Sequence, residues 1–127
     1  MPIQIKSVER PQPGVKGGGI KKHYASPVHG QEISLEGLTR GIEKTSTVSG
    51  ADIRAVLYAM VEEAVAGLSD GRIIRLGDLG SLRITLSSEG KDTEEEVSAK
   101  SVKKAGVIFT PGKKLQEMLA NARFTKV

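Results

Sequence analysis

The 127-residue chain has no cysteine, which excludes disulfides, thiolate metal sites and a cysteine nucleophile and leaves nothing that points to an oxidising compartment. It has no apolar run long enough to cross a bilayer, and its opening, Met-Pro-Ile-Gln-Ile-Lys, lacks the apolar stretch of a signal peptide. The expected compartment is the cytoplasm, with no membrane partner. Histidine is scarce: His23 and His29 have no acidic or cysteine partner at ligand spacing, so a metal site is not expected. The serines fall mainly at caps and turns without a histidine to activate them. The run Glu94 to Glu96 reads as a solvated helix start, since paired catalytic carboxylates need a cleft that raises one pKa. Gly14 to Gly19 is followed by Ile20 where a phosphate-binding loop needs Lys-Ser/Thr, and no apolar strand feeds it. The sequence therefore points away from an enzyme and implies no cofactor and no small-molecule substrate.

What the chain does have is charge, unevenly placed. Residues 1 to 30 carry five Lys/Arg and one Glu, residues 31 to 70 carry three against seven acids, and residues 71 to 127 carry eleven against seven. Basic ends flank an acidic middle, a distribution that suggests an anionic partner for the ends, against the plainer reading of ordinary surface charge. An apolar fraction of 38% permits one modest core, so one domain stabilised by self-association is expected.

Ile3 and Ile5 alternate with polar neighbours and predict a short N-terminal strand, after which Pro11, Pro13 and Gly17 to Gly19 stop regular structure, so residues 9 to 30 read as a linker. Ser34 is an N-cap for a helix carrying Leu35, Leu38 and Ile42 that ends near Lys44 to Ser46. Ser49, with Asp52 three residues on, caps a longer helix in which Ile53, Val56, Leu57, Met60, Val61, Ala64 and Leu68 recur at three- and four-residue steps. Ala51, Ala55, Ala59, Val65 and Ala66 widen that apolar stripe nearly around the helix, and a second copy of the chain is the simplest cover.

Ile74, Leu76 and Leu79, then Leu82, Ile84 and Leu86, alternate with polar residues and predict a hairpin. With the apolar set facing the helices, Arg75 and Arg83 share the opposite face. On a third strand Val107 and Phe109 point inward, which gives Lys100, Lys104 and Ile108 the outward parity unless Gly106 introduces a bulge. Thr110-Pro111 then opens a last helix as N-cap and first helical residue, with Leu115, Met118, Leu119 and Ala122 as its stripe. Lys113 and Lys114 fall in its first turn, where the helix dipole disfavours cations, and a local rule broken this way often marks function.

Two segments carry a family resemblance. Gly77-Asp78-Leu79-Gly80-Ser81-Leu82 resembles the Gly-Phe-Gly-x-Phe turn of the bacterial HU/IHF histone-like proteins, and Phe109-Thr110-Pro111-Gly112-Lys113-Lys114-Leu115 resembles their Phe-x-Pro-Gly-Lys-x-Leu. The resemblance covers roughly Ser34 to Leu119. The start of the chain, with Tyr24-Ala25-Ser26-Pro27, resembles the HU-related branch that carries an N-terminal extension with a Tyr-x-x-Pro segment. The resemblance implies an α+β fold: two N-terminal helices, a three-stranded antiparallel sheet with a modified arm and a short C-terminal helix, in an intertwined dimer. It divides the chain into an extension over 1–30 and an HU-like DNA-binding domain over 31–127. It implies a cytoplasmic, nucleoid-associated, non-sequence-specific architectural protein that binds duplex DNA as a homodimer. Arg75 and Arg83 would face DNA from the sheet, and Lys113, with Lys114 beside it, would meet phosphate at a helix N-terminus.

One departure is expected to matter. HU-type arms wedge a proline into the minor groove, but this sequence has none from Val28 to Thr110 and carries Asp92-Thr93-Glu94-Glu95-Glu96-Val97 where the tip should be basic. Thr93 with Glu96 reads as a capping box, so a short helix replaces part of the ribbon. The arm is then shortened or refolded, bending is weaker, and contact shifts to Arg83, Lys100, Lys103 and Lys104. Two other readings stand beside DNA architecture. One is an HU-fold protein-interaction or structural module with weak or no DNA binding. The other, a helix-turn-helix regulator, is disfavoured because the second helix presents Asp52, Arg54, Tyr58, Glu62 and Glu63, a net negative face.

Overall fold

The structure is a computed structural model describing residues 2–127, which divide into two compact units: residues 2–33 with Met118–Val127, and Ser34–Glu117. Together they give an α+β protein of three helices and two three-stranded sheets.

The larger unit opens with α1, Leu35–Thr45, and α2, Gly50–Ser69. Both start as their sequences predict. The Ser34 hydroxyl accepts from Gly37 N at 3.1 Å and the Ser49 hydroxyl from Asp52 N at 3.3 Å, each satisfying one amide that a helix start leaves without a carbonyl. Glu43 adds a link between the helices, its Oε2 accepting from Gly50 N at 2.7 Å, where a carboxylate also suits the positive end of α2. The Arg54–Glu36 ion pair, 2.9 Å long, also joins them but is solvent-exposed and contributes little.

The sheet of this unit has the order β3-β4-β5, antiparallel throughout, with β3 Ile74–Arg75, β4 Gly80–Ser88 and β5 Val102–Pro111. The first strand is shorter than the alternation of Ile74, Leu76 and Leu79 predicts, because Gly77–Leu79 closes into a single 3₁₀ turn. Leu76 N donates to Gly80 O at 2.7 Å across that turn. The helix after β5 starts later than its composition predicts. Thr110 and Pro111 remain in the strand, paired with Ser81 and Gly80, and α3 begins two residues after Pro111 and spans Lys113–Ala120. Gly112 takes the cap position, its carbonyl accepting from Gln116 N at 3.0 Å. Ala122 of the predicted stripe lies beyond the helix, and the boundary between the two units falls within α3.

Beyond Leu82, where pairing with β3 ends, β4 and β5 continue as a two-stranded ribbon as far as Ser88 and Val102. Between β4 and β5 the chain makes two single 3₁₀ turns, Glu94–Glu96 and Ala99–Ser101. The predicted Thr93 capping box does not form: the Thr93 hydroxyl reaches the Glu96 carboxylate at 3.2 Å and accepts no backbone amide. The reciprocal cap sits five residues later, where Ser98 Oγ accepts from Lys100 N at 3.3 Å and the buried Ser101 Oγ accepts from Ser98 N at 3.1 Å.

The smaller unit is a sheet of order β2-β1-β6, with β1 Ile3–Arg10, β2 Lys22–Pro27 and β6 Phe124–Lys126. β1 is the strand its alternation predicts. β2 lies where a linker is expected and pairs antiparallel with β1 from Ile5↔Pro27 to Arg10↔Lys22, while β6 joins the other edge in parallel.

Very little of this is a core. Ile53 is the one buried hydrophobic residue among those described, while Val56, Val61, Leu86 and Val107 are each more than half exposed. The chain presents 10671 Å² of accessible surface. A compact chain of this mass presents about 6,500 Å², and about 7,800 Å² even with the two units counted as separate globules.

Candidate nucleic-acid interface

Side chains at directly paired positions of an antiparallel ladder share a face, so the register of β3, β4 and β5 sorts them without ambiguity. Leu82 pairs with Phe109, Ile84 with Val107 and Leu86 with Ala105, which makes one face apolar. The opposite face receives Arg75 beside Ser81 and Thr110, Arg83 beside Ile108, Thr85 beside Gly106, and Ser87 beside Lys104. It holds three cations and four hydroxyls, and no strand position on it is acidic. Arg75, Arg83 and Lys104 are exposed, and among the described residues none has an ion-pair partner.

Of the seven predicted contact residues, the sheet thus brings together Arg75, Arg83 and Lys104. Lys103 is the extra residue of a β-bulge, because the register steps from Ser87↔Lys104 to Ser88↔Val102. The irregularity falls at Lys103, and Gly106 pairs regularly with Thr85. Lys100 does not share the strand parity expected for it, since it lies in the Ala99–Ser101 turn; it remains exposed. The hydroxyl row of Ser81, Thr85, Ser87 and Thr110 was not singled out from sequence, although the same alternation that selects the arginines selects it.

Lys113 and Lys114 begin α3 and are exposed. The amides of the first helical turn have no helical carbonyl to reach, and the turn carries two cations and nothing negative. A shallow cavity of about 240 Å³ lies alongside, lined among others by Arg75, Gly77, Ser81, Thr110 and Gly112. Arg75 is thereby placed next to the junction of the two glycine motifs. Gly112 N donates to Leu79 O at 2.9 Å, which ties the segment entering α3 onto the turn before β4.

This arrangement suits an extended polyanion: three cations spread over one sheet face among hydroxyls and Ile108, with a helix start following β5. Among the described residues there is no group of three or more His, Asp or Glu that could hold a metal ion.

The profile of the HU-HIG family, an HU domain fused to wHTH, Ig, or glycine-rich motif, matches residues 1–126. The chain belongs to the HU-HIG family. Among curated proteins none matches it. Among solved structures the HU-HIG chain is similar to one from Bacteroides vulgatus ATCC 8482, described as a candidate bacterial DNA-binding protein. The TM-score is 0.69 at 17% identity, over 98% of this chain and 48% of the other, so the likeness is one of fold and the chain spans about half the length of that protein.

Proposed function

We propose that this HU-HIG chain binds duplex DNA through the phosphate backbone, without catalysis and with little sequence preference, as an architectural nucleoid component of the cytoplasm. The observation that carries the reading is the exposed face of β3, β4 and β5, where Arg75, Arg83 and Lys104 stand among hydroxyls with no carboxylate. Membership of an HU-domain family and the likeness to a candidate DNA-binding protein support it. Phosphate contacts position a protein without reading bases, which is why sequence preference is low. Lys113, Lys114, Lys100 and Lys103 add contacts at the ends of the face. The compact turns at Glu94–Glu96 and Ala99–Ser101, without a proline wedge, support weak bending of the duplex.

The binding unit is an intertwined homodimer, with the exposed apolar faces of α2 and the sheet covered by the second copy. The first 30 residues form the extension of the HU-related branch and residues 31–127 the DNA-binding domain.

The test is anisotropy of a labelled random-sequence duplex of about 30 base pairs, titrated at about 50 and about 200 mM salt. Binding that is indifferent to sequence and weakens steeply with salt is expected. A protein that ignores the duplex even at the lower salt sinks the reading and favours the second one, a protein-interaction module on an HU fold. The acidic stretch Asp92 to Glu96 is the observation that favours this alternative.

A further inference from the structure

The positive charge of the protein is not where the family resemblance would put it. Ser34–Glu117, the unit with the HU-like motifs, holds 12 Lys/Arg against 13 Asp/Glu and is net negative. Residues 2–33 with Met118–Val127 hold seven Lys/Arg against Glu9 and Glu32, so the smaller unit, about a third of the chain, carries a charge of +5.

The register of its sheet concentrates part of that charge. Lys6 pairs with Ser26, Val8 with Tyr24 and Arg10 with Lys22, so Lys6, Arg10 and Lys22 share one face with Tyr24 and Ser26 between them. All three cations are exposed, Tyr24 and Val8 are half-buried, and no carboxylate belongs to this face of β1 and β2. Glu9 projects to the other side, opposite His23. Placing Arg10 directly across from Lys22 costs stability, since like charges on opposed positions of a ladder repel. Among the described residues no ion pair relieves them. A like-charge pair that works against folding, on the most basic part of the chain, suits a phosphate-binding surface.

We propose that the face of β1 and β2 bearing Lys6, Arg10 and Lys22 is a second duplex-DNA contact surface, and that it supplies much of the salt-dependent affinity. This rests on the DNA-binding reading above but is independent of the residues that carry it. Three phosphate contacts contribute about 2.7 to the slope of log Kobs against log salt for each chain in the complex.

The experiment compares the full chain with its Lys6→Gln/Arg10→Gln/Lys22→Gln variant on the same random-sequence duplex across a salt series. Circular dichroism melting confirms that both are folded, and Lys6→Arg/Lys22→Arg serves as the charge-conserving control. The expected result is a slope reduced by about 2.7 per chain in the neutral variant and an unchanged slope in the control. Duplex binding by the parent chain with the same affinity and slope in the neutral variant overturns this proposal and leaves the sheet of the larger unit as the interface. Absence of duplex binding by the parent chain overturns the DNA reading itself, and this proposal with it.

Discussion

A methyl group added at Gly112 would lie 2.5 Å from the Asp78 carbonyl oxygen and 2.8 Å from Gly80 N, both backbone atoms with nowhere to move. Gly80 is similarly confined: its φ is 149°, and a side chain there would strike the Thr110 carbonyl and the Phe109 ring. The two sequence motifs are therefore the two halves of one close contact, which explains in physical terms why glycine stands in each. Gly112→Ala is expected to cost about 1–3 kcal/mol by overpacking. That lowers Tm by roughly 4 °C for each kcal/mol, read by thermal circular dichroism. An unchanged Tm would mean that the two turns do not touch. Arg83→Gln should behave in the opposite way. Its side chain is exposed and has no ion-pair partner among the described residues, so stability is expected to hold while the salt slope of duplex binding falls by about 0.9 per chain.

At the scale of elements, what could be read from sequence was whatever is decided within a few residues. The caps at Ser34 and Ser49 and the three- and four-residue periodicity of α2 are local, and the helices begin where those residues place them. Strand alternation likewise assigns Arg75 and Arg83 to one face, as the pairing does. β2 was not legible because Lys22-His23-Tyr24-Ala25-Ser26-Pro27 has no apolar alternation; its strand state comes from the distant partner β1. Phe124–Lys126 is too short to carry a pattern of its own. Thr110-Pro111 has the composition of a helix start, yet pairing with Ser81 and Gly80 holds both residues in β5, where a proline at the strand end sacrifices no interior ladder bond. Lys100 lost its expected parity because Ser98 and Ser101 close a turn around it. The acidic tip gives a prediction at this same scale. Glu94, Glu95 and Glu96 lie on the connection between the strands that carry Arg83 and Lys104. Converting all three to glutamine removes like-charge repulsion worth a few tenths of a kcal/mol each, about fivefold in duplex affinity at low salt. Equal affinity of variant and parent, measured by anisotropy, would place the tip away from phosphate.

The whole molecule exposes far more surface than its mass warrants, and the excess is apolar along α2 and on one face of the sheet. Burying apolar surface returns about 25 cal/mol per Å². A cover of the size seen in obligate dimers, 2,000 Å² or more in total, is therefore worth on the order of tens of kcal/mol before the costs of association are subtracted. A chain with Ile53 as its one described buried hydrophobic residue has no comparable source of stability on its own. Folding and self-association should accordingly be one equilibrium. The mass by light scattering at micromolar concentration is expected to be twice 13.5 kDa. More tellingly, Tm should rise with protein concentration, because a dimer that dissociates as it unfolds is stabilised by mass action. Val61→Asp, which sets a carboxylate on the exposed apolar stripe of α2, should abolish the dimer and the cooperative melt together, since a charge there would be buried unpaired in the covered state. A concentration-independent Tm with a monomer mass would instead mean that the chain folds with these faces open, and the covering second copy would have to be abandoned.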